Sequence, residues 1–237
     1  MCTVTWTHEA EGYQLFFNRD EKRTRRPAHP PGSSVLEGVR FIAPRDGDFG
    51  GTWLSVNEFG VSVCLLNGAE GIRGRSRGLL VLDLTPTTSV AGIRQFLQAA
   101  DLSTYAPFSL VAIEPGAATI VEWNGRERAI RDMPESHGML TSSSFDTAAV
   151  VQRRYNAFAS LGPITSDLLG EFHRSHGDEP SAYSTCMHRP DAETVSFSHI
   201  RVTQDRIEFR YVPSAPCSNA PAVNLSLHRS TAVAGGA

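Results

Sequence analysis

Nothing in the 237-residue chain approaches the run of about 18 apolar residues that a membrane-spanning helix needs, so no transmembrane segment is expected. Charge of one sign is also lacking. The 22 Lys and Arg against 25 Asp and Glu leave a net charge of −3, which implies no nucleic-acid partner and no general affinity for an anionic membrane. Cysteine is scarce: Cys2, Cys64, Cys186 and Cys217 are too few in a chain of this length for a disulfide framework, and they fit reduced thiols in a cytoplasmic protein. Residues Met1 to Gly12 carry neither the basic nor the apolar stretch of a secretory signal. No Gly-rich phosphate loop and no internal repeat is visible, and no cofactor is expected.

What is present reads as a globular chain. Val4 and Trp6 alternate with threonines from Thr3 to Thr7, a strand pattern. Glu9 to Gly12 reads as a turn and Tyr13 to Phe17 as the returning strand, ending at Asn18-Arg19-Asp20-Glu21. Lys22 to Gly32 is basic, contains prolines and reads as loop. Thr52 to Val56 and Val61 to Leu66 are strands around a turn at Asn57 to Gly60. Ser89 to Ala100 is a helix capped by Thr87 or Thr88, with Val90, Ile93, Phe96 and Leu97 on one face. Two further strands flank Pro115-Gly116, and Asn124-Gly125 turns into Arg126 to Arg131. Helices follow from Asp146 to Phe158 and from Thr165 or Ser166 to His173, then a hairpin of Thr194 to Val202 and Ile207 to Val212. This order predicts an α+β fold with mainly antiparallel sheet, a single domain over 1–217 and a loose tail over 218–237.

Cys2 follows Met1 directly. If Met1 is removed, one residue carries both a thiol, titrating near pH ~8.5, and an α-amine, near ~7.7–8.0. Such a residue is a nucleophile with its general base attached. Three ordered motifs accompany it: Asn18-Arg19-Asp20-Glu21 after the first hairpin, Gly50-Gly51-Thr52-Trp53-Leu54-Ser55-Val56-Asn57 through Gly60, and Asn67-Gly68 followed by Ser76-Arg77-Gly78-Leu79. On these residues the chain resembles the NRDE family of transport and Golgi organisation proteins. That family in turn is similar to the cysteine N-terminal-nucleophile hydrolases of the choloylglycine and penicillin V acylase group.

The resemblance implies an αββα sandwich of two antiparallel sheets and cleavage of linear amides, with Cys2 as nucleophile. Arg19 and Asp20 fall where that group has an arginine and an aspartate beside the cysteine, with Glu21 an alternative match for the aspartate. Asn67 is the candidate oxyanion-hole residue. The implied ligand is a small-molecule amide, acyl or lipid-like compound. Either acyl transfer through Cys2 follows, or non-enzymatic binding of a lipid, an acyl thioester or haem. Two departures stand out: Leu140-Thr141 is followed by Ser142-Ser143-Ser144 where the acylases have an asparagine, and the acylases' late arginine has no counterpart nearer than Arg189.

Other residues have plainer readings. Gly50-Gly51 would allow close backbone approach. Cys64, in an apolar strand, is expected to be buried and inert. His173 and His176 read as a solvated pair at a helix end. Cys186-Met187-His188 and Cys217 match no closed zinc spacing, so no metal site is expected. Arg73, Arg75 and Arg77 read as a solvated loop, or as contacts for a phosphate-bearing acyl thioester.

Overall fold

Alternation in strand Cys2–Glu9 (β1) puts Cys2, Val4 and Trp6 on one face and Thr3 and Thr5 on the other, and both faces are buried. A strand covered on both sides belongs to the middle of a layered structure. The computed structural model describes residues 1–68 and 74–230. After β1 come Gly12–Lys22 (β2), His29–Leu36 (β3), Val39–Arg45 (β4), Leu54–Asn57 (β5), Ser62–Asn67 (β6), Arg77–Leu84 (α1) and Val90–Ala99 (α2). Phe108–Glu114 (β7), Ala117–Trp123 (β8), Arg128–Asp132 (β9), His137–Ser142 (β10), Thr147–Ala159 (α3) and Ser166–Arg174 (α4) follow. The chain then runs through Ala192–Val202 (β11), Arg206–Val212 (β12) and Val223–His228 (β13).

Two antiparallel sheets result. One has the order β10-β1-β2-β11-β12-β13, the other β3-β4-β5-β6-β7-β8-β9. Their facing surfaces enclose a core in which Val4, Trp6, Leu15 and Phe17 meet Leu54, Val56, Cys64 and Leu66. Helices α1 and α2 cover the seven-stranded sheet over a second apolar cluster that includes Leu80, Leu84, Ile93, Leu97 and Leu110. Helices α3 and α4 cover the six-stranded sheet. The layers are therefore α, β, β, α, as expected.

The third interface differs in chemistry. Its apolar cluster is small, with Phe16, Leu169, Phe197 and Val212 at its centre. Around it the back of the six-stranded sheet buries Thr3, Thr5, Asn18, Asp20, Thr141 and Thr194. Burial of polar groups on this scale requires hydrogen bonds. Thr5 Oγ1 lies 2.9 Å from His173 Nε2, Thr3 Oγ1 lies 2.8 Å from Thr141 Oγ1, and Asn18 Nδ2 donates to the carbonyls of His173 and Thr185, each at 2.9 Å. This is why the strand pattern of β1 reads as half-buried although both faces are covered.

Several sequence expectations need correction. Asn18 to Glu21 lie within β2, because β1 pairs with that strand as far as Arg19 and β11, on its other side, as far as Lys22. The end of the expected loop, His29 to Gly32, belongs to a strand, and residues 29–45 form the hairpin β3–β4, closed by Glu37 and Gly38 at positive φ. Its first strand is proline-containing and exposed, so no apolar alternation marks it. Ser89, not Thr87 or Thr88, caps α2, accepting from the Gly92 N–H at 3.1 Å. Phe96, placed on the inward face, is exposed. Helix α1 was not anticipated. Part of the expected loose tail forms β13, which pairs with β12 at the sheet edge. His173 is fully buried rather than solvated. Arg73 lies outside the described residues.

Burial lowers the His173 pKa to about 3, with Arg154 and His199 adding repulsion, and burial lowers that of His199 to about 4, with Arg210 and Arg201 adding to it. Each imidazole stays neutral when folded but takes up a proton near pH ~6.5 when unfolded. Between those values the unfolded chain binds more protons, so this contribution to stability is complete above pH ~6.5 and is lost as pH falls. The expected loss is about 1.4 kcal/mol per pH unit for each histidine. Urea denaturation at pH 7, 6, 5 and 4.5 checks this. His199→Gln, which can keep a hydrogen bond to Gln14, should flatten the slope by roughly one proton's worth.

Candidate active site

Register places the first row of the site. Cys2 is directly opposite Arg19 on β2 and opposite Ser142 on β10. Directly opposed residues in an antiparallel sheet share a face, so Arg19, Cys2 and Ser142 form one cross-strand row at the inner face. Cys2 and Arg19 line a cavity of about 540 Å³ at one end of the sandwich, with Glu21, Trp53, Asn67 and Arg77 among its other walls. Ser142 Oγ is buried and has no hydrogen-bond partner among the described residues.

Alternation along β2 separates the two acidic residues of its motif. Glu21 follows Arg19 on the cavity side, and its carboxylate lies 3.6 Å from the Arg19 guanidinium. The Asp20 carboxylate points to the back of the sheet. There it accepts from Thr194 Oγ1 at 2.7 Å and from Arg154 Nη1 and Nη2 at 3.2 and 3.3 Å. Asp20 reaches the Cys2 end of the sheet through its main chain: its N–H donates to the Met1 carbonyl at 2.9 Å, and its carbonyl accepts from the Met1 amine at 3.1 Å. The predicted residues Cys2, Arg19 and Asn67 are thus brought together around one cavity, while the Asp20 side chain is not.

The second motif explains how Arg19 is held. Its guanidinium carbon sits 4.1 Å from the centre of the Trp53 ring, and Nη2 donates to Asp46 Oδ2 at 2.8 Å. Asp46 is shared with Arg25, which donates to both of its oxygens at 2.9 and 2.7 Å. The third motif meets the second through glycine. A Cβ on Gly51 would lie 2.6 Å from the Gly78 carbonyl carbon, and the Thr52 N–H donates to the Gly78 carbonyl at 3.1 Å. Only glycine permits that approach. It draws the first turn of α1 to the cavity, where Arg77 donates to the Pro107 carbonyl at 2.7 Å. Arg75 and Arg77, read as a solvated loop or as contacts for a phosphate-bearing acyl thioester, both line the cavity, Arg75 with much of its side chain still exposed. Asn67 ends β6 opposite Phe108.

Electrostatics at Cys2 are mixed. Burial holds the thiol above its ordinary value; the N-terminal ammonium pulls it down, Asp20 pushes it up, and the smaller influences of Arg19 and Glu21 oppose each other. The thiol therefore needs a base to become a nucleophile. Cys64, buried in β6, is also pushed up by burial and then by Cys2. Side chains on the cavity wall are predominantly cationic, with Arg19, Arg25, Arg75 and Arg77 against Glu21 and Asp46.

Arg154 was missed by the sequence reading. It lies one helical turn after Val150 on the inward stripe of α3, where an arginine is out of place unless paired. Arg189, the nearest match for the acylases' late arginine, instead pairs with Asp191 at 2.6 Å and packs over Phe145.

Two antiparallel sheets between helix pairs, with a cysteine opening the first central strand at the cavity, define the fold of the N-terminal-nucleophile hydrolases. The chain belongs to the Transport and Golgi organisation 2 family, whose model matches residues 1–166. Among solved structures it is similar to an N-acylethanolamine-hydrolyzing acid amidase ortholog of Caenorhabditis elegans, at TM-score 0.61 and 10% identity over 84% of this chain and 92% of that one. It is likewise similar to penicillin V acylase from Agrobacterium tumefaciens, at TM-score 0.58 and 12% identity over 95% of this chain and 86% of that one. A mutant conjugated bile acid hydrolase from Clostridium perfringens gives TM-score 0.57 and 14% identity over 95% and 92%. No curated protein matches the chain by sequence. At these identities the solved structures establish the fold alone.

The two acidic residues of β2 should separate by experiment. Asp20→Ala leaves the buried Arg154 uncompensated and is expected to cost about 3–5 kcal/mol. Glu21→Gln, at the cavity wall, should stay within about 1 kcal/mol. Urea denaturation of both variants checks this, and equal losses would contradict the assigned faces.

Proposed function

We propose that the chain is a cysteine amidohydrolase or acyltransferase that acts through Cys2 after removal of Met1. The observation that carries this reading is the position of Cys2, at the start of a central strand, at a cavity wall, directly opposite Arg19. In the reaction the Cys2 α-amine takes the thiol proton, and the thiolate attacks the carbonyl of a linear amide or thioester. Asn67 donates to the oxyanion of the tetrahedral intermediate, an interaction worth about 3–4 kcal/mol. Collapse breaks the bond to the leaving group, which takes the proton from the α-ammonium when it is an amine. Water or an acceptor amine, deprotonated by the same α-amine, then releases the acyl group from sulfur. Arg19 stabilises the thiolate, and its own charge is compensated by Asp46 and, more distantly, by Glu21.

The main chain of Asp20, which pairs with Met1 through both its N–H and its carbonyl, supports the same reading. Loss of Met1 leaves the Asp20 N–H and carbonyl facing the vacated position, where the new amine or a substrate carbonyl can use them. The substrate is a small amide or acyl compound, and the arginines of the cavity favour one with an anionic group. Under this reading the protein acts without spanning a membrane by a helix; among the described residues no helix is long and apolar enough to cross one.

A second reading is stoichiometric binding of an anionic acyl or lipid-like ligand. It is favoured by Ser142, which stands where the related acylases keep an asparagine and offers a shorter, single-hydroxyl contact.

The N-terminal mass of protein made in cells should lack Met1. An acyl-donating electrophile should then label one site, and Cys2→Ala should abolish labelling. With an amide substrate in hand, Asn67→Ala should lower kcat by about 10²–10³-fold. Retained Met1, or ligand binding undiminished by Cys2→Ala with no turnover, would move the binding reading to the front.

A further inference from the structure

Four side chains that are not among the cavity's lining residues converge near the start of β11. His176 and Cys186 lie between α4 and β11, His188 pairs with Glu193 at the approach to β11, and Cys217 lies between β12 and β13. Their donor atoms all fall within 4.8 Å of one another. His188 Nε2 is 3.5 Å from Cys186 Sγ and 3.4 Å from Cys217 Sγ. The two imidazole rings meet with centres 5.0 Å apart. Cys186 is fully buried and the other three are half-buried.

We propose that His176, Cys186, His188 and Cys217 form a tetrahedral Cys₂His₂ zinc site. The distances fit. With Zn–S of about 2.3 Å and Zn–N of about 2.0–2.1 Å, the nitrogen-to-sulfur edges of a tetrahedron are roughly 3.5 Å, which both contacts of His188 Nε2 already match. Without a metal the same contacts are poor hydrogen bonds, because thiols are weak donors and one imidazole nitrogen cannot serve two of them well. His176 Nε2 is buried and has no partner among the described residues, and a metal ion supplies one. Charge also fits: Zn²⁺ replaces two thiol protons, which go to solvent, and two thiolates leave the centre neutral, as a half-buried site requires. Two soft sulfurs and two imidazoles in this arrangement select zinc over magnesium or calcium. Four protein ligands leave no open position, so the ion is structural.

The loop is built to present these ligands. The Cys186 N–H donates to the Ser175 carbonyl at 3.0 Å, and Ser184 Oγ donates to the His176 carbonyl at 2.7 Å. On either side of Cys186 the loop grips the back of β2. The Thr185 carbonyl accepts from Asn18, and the Met187 N–H donates at 2.8 Å to Thr194 Oγ1, which holds Asp20. A bound ion therefore clamps the 176–188 loop and the link to the C-terminal strand against the strand that carries Arg19. The expectation that these residues hold no metal rested on spacing, and spacing does not register ligands drawn from three separate segments.

The test is metal analysis of the untagged full chain, purified under reducing conditions and dialysed against zinc chloride and then metal-free buffer. About one zinc per chain is expected. Cobalt in its place should give tetrahedral d–d absorption with thiolate-to-metal charge transfer. Cys217→Ser and His176→Gln, both at half-buried positions, should keep the circular dichroism of the parent and weaken zinc by ~10–100-fold or more. A chelator should lower the thermal midpoint of the parent but not of these variants. Cys2→Ala should keep its zinc, so the result stands apart from the activity of the cavity. Metal-free protein with free thiols, a Cys186–Cys217 disulfide, iron or copper in place of zinc, or undiminished zinc in both variants would overturn the proposal.

Discussion

The buried ion pair of Asp20 and Arg154 ties the six-stranded sheet to the helix α3 that covers it. Both side chains are removed from water, and a charge so placed must keep its partner. Their surroundings recruit five elements. Asp20 is on β2, Arg154 on α3 and Thr194 on β11, while Thr3 on β1 and Thr141 on β10 accept from Arg154 at 2.7 and 3.2 Å. Displacing α3 would strand the carboxylate, and shifting β2 by one residue would turn it into the apolar inter-sheet core. The pair thus sets the register that brings Arg19 and Ser142 beside Cys2.

The two faces of β2 divide the labour. The inner face carries Arg19 and Glu21 to the cavity; the back carries Asn18 and Asp20 into a hydrogen-bonded layer under α3 and α4. Four consecutive residues form one motif because they serve both faces of a single strand. The second and third motifs act from the opposite sheet, where Trp53 stacks on Arg19 and the contact of Gly51 with Gly78 places α1. A cavity at the end of a sandwich needs walls from both sheets, which is why its residues are spread from Met1 to Ala106.

The polar back layer also accounts for where the fold is least supported by apolar burial. Only a small cluster around Phe16 packs between α4 and the sheet, so that region depends on directed bonds from Asn18, Thr5 and the loop at 176–188.

Much of this was legible in the chain. The alternation at β1, the apolar run of β6, the strands β7, β8, β11 and β12, the helices α2, α3 and α4, and the turns at Asn57 to Gly60 and at Pro115-Gly116 follow from local chemistry, and the motif resemblance supplied the layered fold. Local pattern failed where both faces of a strand are covered by unlike surroundings, as at Asn18 to Glu21, and where a strand is exposed and proline-containing, as at β3. It could not separate Asp20 from Glu21, because neighbours in sequence look alike until a sheet assigns each its face. Arg154, the convergence of His176, Cys186, His188 and Cys217, and the inward turn of Arg77 likewise came only from the tertiary structure. Periodicity along a chain records which side chains share a face; only the packing of one element on another decides which charges and ligands from distant segments meet there.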